Sequence, residues 1–191
     1  MSQNIEIEMK NLLHKEEFKK IMKDYPFPKQ GDMQINYYFD TAQMTLINQS
    51  SALRIREKND RFRLTLKEPV EEGILETHDP LLKKEALMWI DNHMIEKSHV
   101  GNRLKALGVN TKDLQYQGSL KTVRYEYQLT KDVTIVLDHS FYNDREDYEL
   151  EVEATSLDRC REVFQTILFN HRIPKRKTPN KIERFYRTRK P

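Results

Sequence analysis

Cysteine is nearly absent: Cys160 is the one such residue in a chain of 191. That rules out an internal disulfide and any zinc site built on thiolates. Glycine is scarce as well, with five residues. There is no Gly-rich stretch and no GxxxxGK[ST] loop, so a phosphate would have to be held by side chains rather than cradled by backbone amides. No apolar run approaches the roughly 18 residues of a membrane span. Met1–Lys10 lacks the apolar centre of a signal peptide, so a cytoplasmic protein with no membrane partner is expected. An excess of one charge sign is missing too: 33 Lys and Arg against 30 Asp and Glu leave +3. A nucleic-acid-binding domain would be lopsidedly basic, and nucleic acid is not expected as a partner. What the chain has in quantity is charge of both signs, 33% of its residues, against roughly 25% in an average domain. The mean hydropathy of −0.84 is low, but 9 Tyr, 8 Phe and regularly spaced Leu, Ile and Val supply a core. The length fits one domain, 1–191.

Much of the charge falls at every second position of segments that read as strands. In Ile5-Glu6-Ile7-Glu8-Met9-Lys10 the carboxylates and Lys10 share one face and the apolar residues the other. Leu53-Arg54-Ile55-Arg56 and Arg61-Phe62-Arg63-Leu64-Thr65-Leu66-Lys67 repeat the pattern with bases, joined through an Asn59-Asp60 hairpin turn. Tyr148–Glu153 repeats it with carboxylates. Further strands are expected at Ile35–Phe39, Leu120–Leu129 and Val133–Leu137. Helical spacing marks Lys15–Lys23, Leu81–Ile90 behind an Asp79-Pro80 start, His99–Leu107 ending at Gly108, and Leu157–Phe169 behind Ser156. Cys160 and Trp89 read as packing residues, and Tyr37-Tyr38-Phe39 as sheet wall. The six histidines share no ligand spacing and read as surface or capping residues. After Pro174 and Pro179, Lys175-Arg176-Lys177 reads as a solvated basic tail. The fold class is α+β, with a mostly antiparallel sheet and peripheral helices.

A sheet with one solvated face would carry mixed charge. Here the signs are sorted by strand: carboxylates on Glu6/Glu8 and Glu149/Glu151, bases on Arg54/Arg56 and Arg61/Arg63/Lys67. Neighbouring like charges destabilise a sheet unless something compensates them. Carboxylates one residue apart on a strand suit a hard divalent cation such as Mg²⁺ or Mn²⁺. Arg and Lys suit an extended polyanion. Together they describe phosphoryl transfer by positioning and charge neutralisation.

Glu6-Ile7-Glu8-Met9-Lys10 resembles the N-terminal ExExK signature of the CYTH proteins, also called triphosphate tunnel metalloenzymes. Tyr38-Phe39-Asp40-Thr41, Leu53–Arg56, Leu64–Lys67, Arg124, Leu137-Asp138, Tyr148–Glu153 and Asn180–Phe185 follow in the family's order. The resemblance thus spans nearly the whole chain, and within the family it is to a short bacterial triphosphatase branch. It implies an eight-stranded antiparallel β-barrel forming a polar tunnel, with peripheral helices. It also implies a metal-dependent triphosphatase acting on tripolyphosphate or another small triphosphate, with Mg²⁺ or Mn²⁺ as cofactor.

Carried over by residue, the resemblance makes Glu6, Glu8 and Lys10 catalytic. Metal would be held by Glu6, Glu8, Glu149 and Glu151, with Asp138 a weaker candidate and Glu153 at the strand's end. Lys10, Arg54, Arg56, Lys67, Arg124 and Lys181 would bind the triphosphate, and Arg61 and Arg63 would lie at a tunnel rim. The segment Gly73–Asp79 keeps Glu76 but lacks the Arg that family patterns place before it. Other readings keep the same site: an adenylyl cyclase, in which a ribose 3′-hydroxyl attacks the α-phosphate, or a thiamine triphosphatase. A non-catalytic polyphosphate or nucleotide sensor is the reading from a different class, though it would have little use for the carboxylates.

Overall fold

Alternation of apolar and charged residues becomes eight strands in the computed structural model, which describes residues 2–188. They are β1 (Gln3–Leu13), β2 (Asp32–Thr41), β3 (Ala52–Lys58), β4 (Arg61–Val70), β5 (Gly73–Leu81), β6 (Leu114–Thr130), β7 (Val133–Tyr142) and β8 (Arg145–Ala154). They close an antiparallel barrel in the order β1-β5-β4-β3-β2-β6-β7-β8. Asn59 and Asp60 take φ of 52° and 56°, and Asn143 and Asp144 take 48° and 60°. Two consecutive left-handed residues give the tight turn whose twist matches the flanking strands, and Asn and Asp tolerate it. By contact the chain divides into two compact units: the start up to Ile5 with Gln34–Leu120, and Glu6–Met33 with the chain from Lys121 onward.

In the first unit, Phe39, Leu53, Ile55, Leu64 and Leu66 pack with Trp89 and Ala86 of α3 (Lys83–Ile90) and Val100 and Leu104 of α4 (Ser98–Ala106). The Trp89 ring meets Phe39 edge-on at 5.2 Å. Asp79-Pro80 does not start a helix as the sequence led us to expect. Both lie in β5, opposite Leu64 and Arg63, and α3 starts at Lys83, where Glu85 accepts a hydrogen bond from the Leu82 amide. The buried Asp79 carboxylate instead accepts from the Val100 amide at 2.8 Å, capping α4 from a distant part of the sequence. Gly108 ends α4 at φ +74°, a conformation costly for residues with a Cβ. The short α2 (Thr45–Asn48) is held by Asp40, whose carboxylate accepts from the amides of Thr41, Leu46 and Ile47.

In the second unit, α1 (Lys15–Asp24) and α5 (Leu157–His171) bury Phe18, Ile21, Val163, Phe164 and Ile167 with Ile135, Leu137, Leu150 and Val152 of the sheet. Cys160 is core, its thiol 3.0 Å from the Val152 carbonyl oxygen. A further helix, α6 (Lys181–Arg187), follows the segment from Pro174 to Pro179. That segment is not a solvated tail. Buried Asn11 accepts from the Arg176 amide at 2.7 Å and donates to the Pro174 carbonyl at 3.2 Å. The Arg176 guanidinium forks onto Glu17 with two 2.8 Å bonds and donates to the Leu12 carbonyl. Charge-assisted bonds of this kind contribute about 1.5–3 kcal/mol. We expect Arg176→Ala to lower unfolding free energy by about that amount in urea titrations, whereas Arg161→Ala, at an exposed pair with Asp158, should change it by less than about 0.5 kcal/mol. Equal effects would contradict the latch. Among the described residues, no helix is long and apolar enough to cross a membrane.

Candidate functional site

Strand register decides which charged side chains meet. Glu8 lies opposite Glu153 and Lys10 opposite Glu151 across β1 and β8. Asp138 lies opposite Glu149 across β7 and β8, and opposite Arg124 across β6 and β7. Steps of two residues then carry all of them onto one face. Two groups of three carboxylates result, each with oxygens within 4.8 Å of one another: Glu6, Glu8 and Glu153, and Asp138, Glu149 and Glu151.

In the first group Lys10 Nζ lies 2.8 Å from Glu8 Oε1, and Arg124 approaches Glu153 only to 3.6 Å. Glu153 is pushed up to about 7, chiefly by burial; the pull of Arg124 is outweighed with help from Glu151, Glu6 and Glu8. Three hard oxygen donors gathered at one point, on partly exposed side chains, fit Mg²⁺ or Mn²⁺ by donor type and spacing.

The second group is buried and already paired with cations. Lys181 Nζ is ion-paired with all three carboxylates, at 2.9 Å from Asp138 and in direct hydrogen bonds with Glu149 and Glu151. Arg124 forks onto Asp138 at 2.9 and 2.6 Å and reaches Glu151 at 2.6 Å. Arg184 pairs with Glu149 at 2.5 Å and with Asp147 at 2.9 Å. Burial opposes the charge on Glu151, but Lys181 and Arg124 outweigh it and hold that carboxyl well below its ordinary value. Burial wins at Glu149, which despite Lys181 is pushed up to about 7 beside Glu151.

In the other unit, β3, β4 and β5 assemble a basic group around one acid. Pairing places Lys67 opposite Glu76 and Thr65 opposite His78. Glu76 receives Lys67 at 2.8 Å, His78 at 3.3 Å and Arg54 at 3.8 Å. His78 also bonds Thr65 at 3.0 Å and Asn4 at 2.8 Å, so it is neither a surface nor a capping residue. His171 departs in the same way: its side chain is 6% exposed and pairs with Asp24. Arg56 donates to Asn36 at 3.1 Å, while Arg61 and Arg63 are exposed.

Burial works against the Glu76 charge, yet the His78 hydrogen bond and the charges of Lys67 and Arg54 hold its carboxyl far below the ordinary value of 4.5. Its folded value therefore lies below its unfolded one. The stabilisation is present above the unfolded value and drains as pH falls beneath it. We expect wild-type unfolding free energy to fall from pH 5 to pH 3 more steeply than that of Glu76→Gln. Parallel curves in chemical denaturation at several pH values would contradict this.

The sequence pattern marked most of these groups, but His78, Arg184, Asp147 and the gathering of Glu153 with Glu6 and Glu8 were not foreseen. The alternation of Glu153 with Glu149 and Glu151 and the resemblance of Asn180–Phe185 gave the only signs of them.

A family model described as the CYTH domain matches residues 4–186. A curated relative from Bacillus subtilis (strain 168), named "Putative triphosphatase YjbK", is 44% identical over 187 residues, covering 97% of this chain and 96% of its own. A crystal structure of a Bacillus halodurans protein, described as a "putative adenylate cyclase", matches with a TM-score of 0.92 at 39% identity, covering 97% of this chain and 100% of that one. A Hippeastrum protein described as a "putative adenylyl cyclase" with a dominant triphosphatase activity matches with a TM-score of 0.80 at 25% identity, covering 96% of each chain.

Proposed function

Because this chain belongs to the CYTH domain family, we propose that it is a divalent-metal-dependent triphosphatase, releasing the terminal phosphate of inorganic tripolyphosphate or of an organic triphosphate. The observation that carries this reading is the gathering of Glu6, Glu8 and Glu153, with oxygens within 4.8 Å of one another. A protein that merely bound phosphate would gain nothing from three carboxylates. Mg²⁺ or Mn²⁺ held there would neutralise charge on phosphoryl oxygens as water attacks the terminal phosphorus.

The chain's own bases have separate tasks. Within one unit Arg54 and Arg56 offer planar forks to phosphate oxygens and Lys67 a compact point charge; in the other, Lys10 is a point charge beside Glu8. Glu76 holds Lys67 and Arg54 in place through its ion pairs. Asp138, Glu149 and Glu151 do the same for Lys181 and Arg124. No fixed catalytic base is required if positioning and charge supply most of the rate.

The same residues would serve a cyclase if a ribose 3′-hydroxyl replaced water and attacked the α-phosphate, releasing pyrophosphate. The description of the Bacillus halodurans protein favours that alternative. The names of the Bacillus subtilis and Hippeastrum proteins favour hydrolysis. The purified protein should be offered tripolyphosphate, ATP and thiamine triphosphate with Mg²⁺ or Mn²⁺, with orthophosphate and cyclic AMP measured. Orthophosphate release that EDTA abolishes is expected. Cyclic AMP as the main product would make it a cyclase, and no turnover of any triphosphate would leave a binding module.

A further inference from the structure

The second carboxylate group is organised around an ammonium rather than around an open centre. A lysine ammonium has three N–H donors and no acceptor. Lys181 places its ammonium against three different carboxylates, Asp138, Glu149 and Glu151, whose oxygens lie within 4.8 Å of one another. Arg124 covers the remaining oxygens of Asp138 and Glu151, and Arg184 approaches the second oxygen of Glu149. Three carboxylates thus meet three cations. Asp138, Glu149, Glu151 and Arg184 are buried, between 0% and 7% exposed, and the side chains of Lys181 and Arg124 are 12% and 11% exposed.

Nor is Lys181 carried on a loose arm. Upstream, the Thr178 hydroxyl accepts from the Leu12 amide at 2.9 Å, and Arg176 is locked to Asn11 and Glu17. Downstream, Arg184 donates to the Pro179 carbonyl at 2.6 Å and pairs with Asp147, while Asn143 donates to the Phe185 carbonyl at 2.8 Å. The helix presenting Lys181 is therefore fixed at both ends. In the first group, by contrast, Lys10 pairs with Glu8, and the Arg124 guanidinium stands 3.6 Å from Glu153.

We propose that Lys181 is a tethered cation seated where a second divalent ion would otherwise bind, so that each chain takes one such ion, at Glu6, Glu8 and Glu153. The proposal rests on the metal-dependent reading above and adds the number of ions and the residue that sets it. Lys181 is then a positioning residue, holding Glu149, Glu151 and Asp138 in register for the neighbouring group. An ammonium supplies one positive charge where a divalent ion would supply two, and it cannot be removed by chelation or exchanged with the solvent.

The test counts bound Mn²⁺ on the whole chain, from the free-ion electron paramagnetic resonance signal at fixed pH. Wild type should bind one Mn²⁺ per chain, Glu149→Gln still one, and Glu153→Gln none or one with strongly reduced affinity. Lys181→Met, which keeps the arm but removes the charge, should bind two, and Mn²⁺ should raise its melting temperature more than that of wild type. Two ions on wild type, one of them lost in Glu149→Gln, would overturn the proposal, yet EDTA-sensitive hydrolysis would then leave the triphosphatase reading standing. A folded Lys181→Met that binds one ion would also overturn it. If Lys181→Met does not fold, the wild-type and Glu149→Gln counts decide by themselves. Wild type that binds no Mn²⁺ would overturn the metal reading and this proposal with it.

Discussion

Glu8→Gln is expected to lower metal-dependent phosphate release by more than about 100-fold, with the melting temperature within a few degrees of wild type. Loss of a group that merely supports a metal ligand costs about 10–100-fold in affinity or activity, and loss of a ligand itself should exceed that. The glutamine keeps the shape and one oxygen but not the charge that a hard cation demands. Folding should be spared, because the ion pair lost among the described residues is that between Glu8 and Lys10, whose ammonium side chain is 20% exposed. Glu6→Gln should behave alike, whereas Glu162→Gln, exposed on α5 and paired with Arg159, should keep wild-type rates. Part of the lost rate should return at high Mn²⁺, since the defect is one of affinity. Wild-type turnover in both Glu6→Gln and Glu8→Gln would place the metal elsewhere.

The largest expected effect on stability belongs to Arg124→Met. Removing this guanidinium leaves Asp138, fully buried, without its closest partner and Glu151, 4% exposed, with Lys181 alone of its two bonded bases. Breaking a buried pair in this way costs about 3–5 kcal/mol. For a chain of this length that corresponds to a fall in melting temperature on the order of 10 °C. The double variant Arg124→Met/Asp138→Asn should be more stable than Arg124→Met alone, because the second change removes a buried charge left to share Lys181 with Glu149 and Glu151. Urea titrations of the four proteins of this cycle give the coupling directly. A loss under about 1 kcal/mol in Arg124→Met would mean that Lys181 suffices for both carboxylates.

The strands that carry the site were legible because their alternation is strict: Glu6-Ile7-Glu8-Met9-Lys10 and Leu53-Arg54-Ile55-Arg56 have no other sensible folding pattern. Strand β5 shows in the resemblance but not in the alternation, because Gly73-Ile74-Leu75-Glu76 and Asp79-Pro80 break the period, and Asp79-Pro80 imitates a helix start. Helix α6 was hidden by two prolines and a run of bases that reads as a solvated end. Tertiary partners decided otherwise: Asn11 and Glu17 fix Arg176, and Asp147 fixes Arg184. The candidate ligands were visible as residue types, but not how they group. Which carboxylates meet depends on the stagger between β1 and β8, where Glu8 falls beside Glu153 rather than Glu151. Register of that kind is set by distant pairing and turn geometry, which local spacing does not encode.

The dependence of three buried carboxylates on Lys181 also has a bearing on the order of synthesis. Glu149 and Glu151 emerge from the ribosome 32 and 30 residues before the lysine that neutralises them. Arg124, made earlier, can already meet Glu151, but until α6 brings Lys181 and Arg184 the Glu149 carboxyl can enter the barrel only wet or protonated, since an isolated buried carboxylate is too costly to keep charged. Helix α6 thus converts a tolerated nascent form into a fully paired one. A chain ending after α5 would lack Lys181 and Arg184 and be held at that earlier stage.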